Sequence, residues 1–375
     1  MLPYSRQSIE EDDIKAVIEV LKSDMITQGE KVKEFEKAVA SFLGRKYAVA
    51  FNSGTAALHA AYFAAGIGEN DEIITTPISF VATSNAALYL KAKPIFCDIK
   101  FKDGNIDENK IESLITERTK AITAVDFAGN PVKHEKIKEI SQKHNLIFIE
   151  DACHALGTKI GDKRAGFKAD IACYSLHAIK PITTIEGGIL ATDNEEFYQK
   201  ANIFKNHGIE KIKAYKSDMK YLGYNYRLSD VASALGLSQL KKIDSFIEKR
   251  EEIAKYYDER FEKNPYFATI KIPSHIKSSR HLYPLLFFRE FWCEKETIYE
   301  KLLEKGIITQ VHYRPIYQNS YYQNLYKDLY LPNAEDFYRA ELSIPCHQKM
   351  TLKDAEFVAD TLLEILQTSK RCKLW

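Results

Sequence analysis

The sequence predicts an α/β protein, a mostly parallel sheet with helices on both faces followed by a smaller α+β unit. Three observations carry this. Apolar, strand-like runs alternate with helical segments between positions 47 and 192, the pattern of repeated strand–helix–strand units. Residues with useful chemistry fall at or just beyond the carboxyl ends of those runs, where ligands sit on such sheets. The chain has 375 residues, 45% of them hydrophobic, which suits two domains rather than one simple core.

The entry segment comes first. Ser8-Ile-Glu-Glu11 has the form of a capping box, and Ile14, Val17, Ile18 and Leu21 follow at helical spacing. Positions 24–29 read as a polar-tipped turn, and 31–43 as a second amphipathic helix stopped by Gly44. The alternating region then predicts strands at 47–51, 72–76, 94–98, 120–127, 146–151, 169–176 and 189–192. Helices are expected at 56–65, where small residues dominate, and at 80–90, 106–115 and 133–144. After a helix at 195–204, Asn206-His-Gly208 breaks the pattern, and the lysine-rich stretch 209–220 reads as an exposed loop. Positions 228–263 are strongly helical. The smaller unit should contain extended pieces at 268–272, 283–288 and 307–312 and helices at 295–305 and 353–366. The division expected is a large domain, 1–250, and a small one, 251–375.

Composition excludes several function classes. Lys and Arg (53) nearly balance Asp and Glu (52), so no global field attracts nucleic acid or an anionic membrane. No apolar run approaches the roughly 18 residues of a spanning helix, and the charged start is unlike a signal peptide. Six cysteines lie far apart, at 97, 153, 173, 293, 346 and 372, with no Cys-x-x-Cys pair. They suggest neither a disulfide framework nor a metal site, and fit a soluble cytoplasmic protein.

Four features could carry chemistry. Lys180 ends an apolar strand among small and apolar neighbours. A buried ammonium tends to lose its proton, which suits an amine that attacks a carbonyl. Ser53, Gly54 and Thr55 sit between a strand and a helix, where unpaired N–H groups make an anion cradle; a plain N-cap is the equal alternative. Asp151 ends another strand and could hold a pyridine nitrogen protonated, although an N-cap or surface acid is the commoner use of such a residue. His154, Phe80, Ser175 and His177 could line the same pocket or simply pack. A Gly-rich dinucleotide fingerprint is absent, because Gly66-Ile-Gly68 closes a helix instead of opening one.

Cradle, Asp and Lys follow one another at separations of about 100 and about 30 residues. With the segments 51–56, 76–83, 150–157, 175–188 and 223–230, this order resembles the nucleotide-sugar aminotransferases, and the resemblance covers nearly the whole chain. It implies the fold type I of pyridoxal 5'-phosphate (PLP) enzymes, which is aspartate-aminotransferase-like. Segments 177–184, 310–317 and 334–338 are most similar to members acting at C4 of a UDP-linked 4-keto-6-deoxy-L-sugar with a 2-acetamido group, with L-glutamate as donor and 2-oxoglutarate as product.

The resemblance implies roles for the residues already singled out. Lys180 would be the catalytic, cofactor-anchoring amine. Asp151 would pair with the pyridine nitrogen, Phe80 would stack on the ring, and His154 would touch the cofactor. Ser53, Gly54, Thr55 and Ser175 would hold the phosphate or adjoining substrate groups. Asn225 would reach across a homodimer to the partner's cofactor. Tyr4, the turn Asp24, Met25, Ile26, Thr27, and the run Gln310, Val311, His312, Tyr313 would contact substrate. Arg227, Lys205 and Arg314 are candidate cations for the anionic substrates, and no metal is implied. Where the family usually reads Gly-Glu-Gly-Gly, this chain has Ile185-Glu-Gly-Gly188.

Competing readings remain at this point. Dehydratase relatives carry a histidine in place of the lysine, so Lys180 argues against that chemistry. An aminotransferase for another nucleotide-linked 4-keto sugar, or a non-catalytic PLP-binding relative, is not separated by pattern alone.

Overall fold

The computed structural model describes residues 1–372. Its centre is a seven-stranded sheet. The strands are β1 (Tyr47–Phe51), β2 (Glu72–Thr75), β3 (Lys93–Phe96), β4 (Thr119–Val125), β5 (Ile147–Asp151), β6 (Ile171–Ser175) and β7 (Gly188–Thr192). Across the sheet the order is β1, β7, β6, β5, β4, β2, β3. From β6 to β3 all neighbours are parallel, and β7 alone runs against both β6 and β1. Consequently β1, β5 and β6 end on the same edge. Register completes the alignment: Gly188 faces both Phe51 and Ser175, and Asp151 faces Cys173.

Helices cover both faces because the strands carry apolar residues on both. Val49 and Phe51 point into one cluster with Ala56, Ala57, Ala60, Ala61 and Ala64 of the helix Gly54–Ala64. A helix so uniformly small and apolar belongs inside the molecule and lies close on its sheet. Ala48 and Ala50, one step out of phase along β1, point the other way, onto Phe35, Val39 and Leu43 of the helix Glu30–Leu43. That helix ends at Gly44, with φ of +67°. Among the described residues no helix is long and apolar enough to cross a membrane.

A second core follows. The long helix Ile243–Arg260 places Ile243, Phe246 and Ile247 in the cluster behind the large sheet. Ile253, Ala254 and Tyr257, further along it, join the C-terminal cluster. A division near position 250 therefore falls inside a continuous helix. The C-terminal core packs the antiparallel strands Phe267–Thr269, Tyr283–Phe287 and Glu341–Ile344 against the helices Lys295–Glu304 and Leu352–Thr368.

Several expected elements differ. The first capping box is Glu10 with Asp13, not Ser8 with Glu11; Ser8 is buried. Positions 106–115 hold only the short turn Glu112–Leu114, because Ile106 bridges Ile99 and Asp107 folds its carboxylate back on Asn109. The lysine-rich loop is an exposed hairpin, Ile209–Lys213 with Lys216–Met219, whose lack of a buried face hid the strand period. The helical stretch at 228–263 is two helices, Asp230–Leu240 and Ile243–Arg260. Positions 307–312 form no strand, only single bridges from Ile307 to Leu2 and from Gln310 to Ser343. The neighbouring helix Pro332–Ala340 and strand Glu341–Ile344 were not expected as elements. Finally, Cys293 and Cys372 are joined in a disulfide, with 5.9 Å between Cα atoms. The chain after the last helix folds back so that the Cys372 N–H meets the Glu290 carbonyl at 2.7 Å, a pairing that a spacing of 79 residues does not reveal.

Candidate active site

Where β1, β5 and β6 end, a cleft of about 560 Å³ opens between the large sheet and the C-terminal unit. Asp151 is the last residue of β5 and is buried. Its Oδ2 accepts the Thr83 hydroxyl at 2.6 Å, its Oδ1 accepts the Cys153 N–H at 3.2 Å, and Ser79 steadies Thr83 at 2.8 Å. Among the described residues no lysine or arginine pairs with this carboxylate. A buried carboxylate without a cation calls for a cationic N–H donor.

Lys180 enters from the turn beyond β6. It is 9% exposed, and burial pushes its pKa down to about 8, with Arg250 adding to the effect and Cys153 and Asp151 opposing it. Its Nζ lies 3.2 Å from His281 Nε2. The N-terminus fastens this turn, because the Ser5 hydroxyl donates to the Ile179 carbonyl at 2.8 Å. His154 stands beside it. Nδ1 accepts the Ala128 N–H at 3.3 Å, so the proton sits on Nε2, which faces the Tyr313 hydroxyl at 3.1 Å. Burial, then the Lys180 charge, hold His154 neutral, well below the usual histidine range.

At this helix start the plain N-cap that the sequence left open is present. Ser53 caps the helix Gly54–Ala64, accepting the Ala56 N–H at 3.1 Å, while the Gly54 and Thr55 amides have no intrahelical acceptor. Glycine is required at one point here and leaves the closest fit at another. A Cβ on Gly188 would lie 2.2 Å from the Ser53 carbonyl oxygen, and one on Gly54 would lie 3.1 Å from Ser175 Cβ. Phe80 is not core: it is 58% exposed and its ring borders the cleft.

The cleft brings together Tyr4, Ser53, Gly54, Thr55, Phe80, Asp151, His154, Ser175, Lys180 and the run Gln310–Tyr313. His177 and Glu186 share its rim, 3.6 Å apart. Other expected residues are not gathered here. Asn225 bridges Asn206, and its carbonyl accepts from Asn52 at 3.3 Å. Asp24 and Met25 border a separate cavity with Asp12 and Asp230, Ile26 is exposed, and Thr27 bridges Ser229. Two of the candidate cations are otherwise engaged: Lys205 pairs with Glu36 at 2.7 Å, and Arg227 donates to Asn206 at 2.7 Å. Arg314 is exposed beside the cleft run. Sequence reasoning missed Thr83 and Ser79, which orient Asp151, and His281, which lies 101 residues from Lys180 with no motif around it.

A low-pKa amine, an unpaired carboxylate and an anion cradle around one cleft fit an aldehyde cofactor that carries a phosphate and a basic ring nitrogen. PLP has these three groups, and each has a partner present.

Comparison with known proteins agrees with that fit. Residues 7–363 match the model of the DegT/DnrJ/EryC1/StrS aminotransferase family. The chain is 53% identical over 374 residues, 99% of each chain, to the UDP-4-amino-4,6-dideoxy-N-acetyl-β-L-altrosamine transaminase of Campylobacter jejuni. It is 46% identical to the Helicobacter pylori protein of the same name, with 98% of each covered. Among solved structures it resembles Helicobacter pylori PseC, an aminotransferase involved in the biosynthesis of pseudoaminic acid. The TM-score there is 0.95, at 44% identity, covering 98% of this chain and 100% of that one. The PLP form of Spr1654 from Streptococcus pneumoniae superposes with a TM-score of 0.93 at 27% identity, covering 98% of each.

Proposed function

The chain is a member of the DegT/DnrJ/EryC1/StrS aminotransferase family, and on that premise we propose that it transfers the amino group of L-glutamate to C4 of a UDP-linked 2-acetamido-2,6-dideoxy-4-keto-L-hexose. The product would be UDP-4-amino-4,6-dideoxy-N-acetyl-β-L-altrosamine, for pseudaminic acid biosynthesis. PLP, when bound, supplies the electron sink and carries nitrogen from donor to acceptor.

The residues divide the work by position. Lys180 Nζ anchors the cofactor and, when free, holds and moves a proton between carbon centres, which its depressed pKa permits near neutral pH. Asp151 keeps the ring nitrogen protonated, oriented by Thr83. Phe80 covers the ring, His154 packs beside it, and Ser53, Gly54, Thr55 and Ser175 receive the phosphate. Tyr4 and Gln310–Tyr313 meet the sugar. The turn Asp24–Thr27 and Asn225 belong, in this reading, to a site completed by a second copy of the chain, as a homodimer in the cytoplasm. Thiols are kept reduced there, so the Cys293–Cys372 bond would be open.

The observation that carries this reading is the meeting of Asp151 and Lys180 in one cleft of a chain half-identical, end to end, to named transaminases. The test is a two-substrate assay with glutamate and the 4-keto UDP-sugar, the C4 configuration of the product being read by NMR. The amino-altrose product is expected. Turnover of a different nucleotide-linked 4-keto sugar in its place would overturn the substrate assignment.

A further inference from the structure

On the strand Glu341–Ile344, Glu341 and Ser343 share one face, two positions apart, and turn it toward the cleft run 310–313. Both side chains are fully buried. Glu341 Oε2 accepts the His312 backbone N–H at 2.6 Å, and Oε1 accepts the Ser343 hydroxyl at 2.6 Å. Ser343 Oγ lies 2.9 Å from His312 Nδ1. The His312 ring borders the cleft and packs on Tyr4, with centroids 5.3 Å apart. Among the described residues nothing pairs with its Nε2.

One hydroxyl proton links these groups, so its direction is determined by its neighbours. Against an ionised Glu341, the Ser343 hydroxyl donates to the carboxylate, and a contact of 2.6 Å suits such a charge-assisted bond. Ser343 Oγ then accepts, so His312 carries its proton on Nδ1 and shows a bare Nε2 to the cleft. If Glu341 takes up a proton, the chain reverses. The carboxyl donates to Ser343, Ser343 donates to Nδ1, and the proton of the neutral ring sits on Nε2.

We propose that Glu341 acts through Ser343 as a positioning residue, deciding which nitrogen of His312 carries the proton and so whether the substrate meets an acceptor or a donor. The acceptor form is the one that suits the hydroxyl and amide N–H groups of an N-acetylated sugar. This rests on the sugar-aminotransferase reading above. Supporting it, burial raises the Glu341 pKa above the usual carboxylate range against the pull of Ser343, the His312 N–H and Lys295. Burial, then Lys180, lowers that of His312 to about 3, so the ring stays neutral throughout. Lys295 is the titratable cation facing Glu341, its own pKa lowered by burial against the pull of Glu341, and its Nζ lies on the carbonyls of Tyr338 and Glu341. Lys180, His154, His281, Tyr4 and Tyr313 are the titratable groups facing His312, and burial raises the pKa of both tyrosines.

The test uses the PLP-loaded full chain with 15N-labelled histidine, His312 being assigned with a His312→Gln variant. The His312 proton is expected to pass from Nε2 to Nδ1 as pH rises through the raised pKa of Glu341. Over the same interval KM for the keto sugar should fall by about tenfold, the worth of one hydrogen bond. In Glu341→Gln the amide must donate to Ser343, because its oxygen is held by the His312 N–H. His312 should then stay protonated on Nε2 at every pH, with KM fixed at its higher value. Ser343→Ala should uncouple the histidine from Glu341 in either direction. A His312 proton that does not move with pH in the parent, or that still moves as in the parent in Glu341→Gln or Ser343→Ala, overturns the proposal. The NMR readout needs no sugar, so failure to turn over this keto sugar would count against the substrate assignment alone.

Discussion

Lys180 is buried without a carboxylate in contact, and its pKa sits near 8 for that reason. Below that value the amine is mostly protonated and cannot attack an aldehyde; above it, it is free. Capture of PLP by the cofactor-free protein should therefore quicken steeply up to about pH 8 and level off beyond, as followed by absorbance. Lys180→Ala should lower turnover by at least about a thousandfold, the scale on which lost covalent and proton-transfer catalysis is felt, while circular dichroism stays unchanged. At Ile185 the backbone has φ of +74° and the side chain is 68% exposed. A β-branched residue is strained in that region, where glycine is not. Ile185→Gly should stabilise the chain by up to about 1 kcal/mol in urea unfolding. The placement of Lys180 and Asp151 at the cleft was legible because each closes an apolar run. His281 and Thr83 were not, because their contacts exist only once distant segments are folded together.

At the scale of elements, the cradle depends on β1 and β7 being pressed together at Gly188. A Cβ there would meet backbone, not a side chain that can swing aside. Gly188→Ala should therefore displace Ser53 to Thr55 and weaken PLP binding by about tenfold or more, the equivalent of one or two hydrogen bonds to a charged group, as measured by equilibrium titration. Helices with a clean apolar stripe, such as Glu30–Leu43 and Leu352–Thr368, were readable from period alone. So were the buried strands, whose apolar runs are bounded by turns. Failures came where the local signal was silent or misleading. The hairpin Ile209–Lys213 and Lys216–Met219 buries neither face, and positions 106–115 fold around Asx contacts that no apolar spacing encodes.

Across the whole molecule, Arg250 joins parts that are far apart in sequence. Its fully buried guanidinium donates to the carbonyls of Arg280, His281 and Cys346, the Gln348 side chain and the Ser5 hydroxyl. Burial lowers its pKa to about 10, so it remains charged at neutral pH. The same residue thus fixes the N-terminal strap over Lys180 and the segment that presents His281. Arg250→Leu should cost at least about 2 kcal/mol in denaturant unfolding, since several buried acceptors lose their donor at once. The helix through position 250 that carries this arginine was legible in the helical stretch 228–263, but its passage from one core into the other was not. The central claim, that Lys180 is the residue linked covalently to the cofactor, is tested most directly by reducing the PLP-loaded protein with borohydride, digesting it and weighing the peptides. The pyridoxyl mass is expected on the peptide containing Lys180. Finding it on another lysine, or on none, would contradict the account.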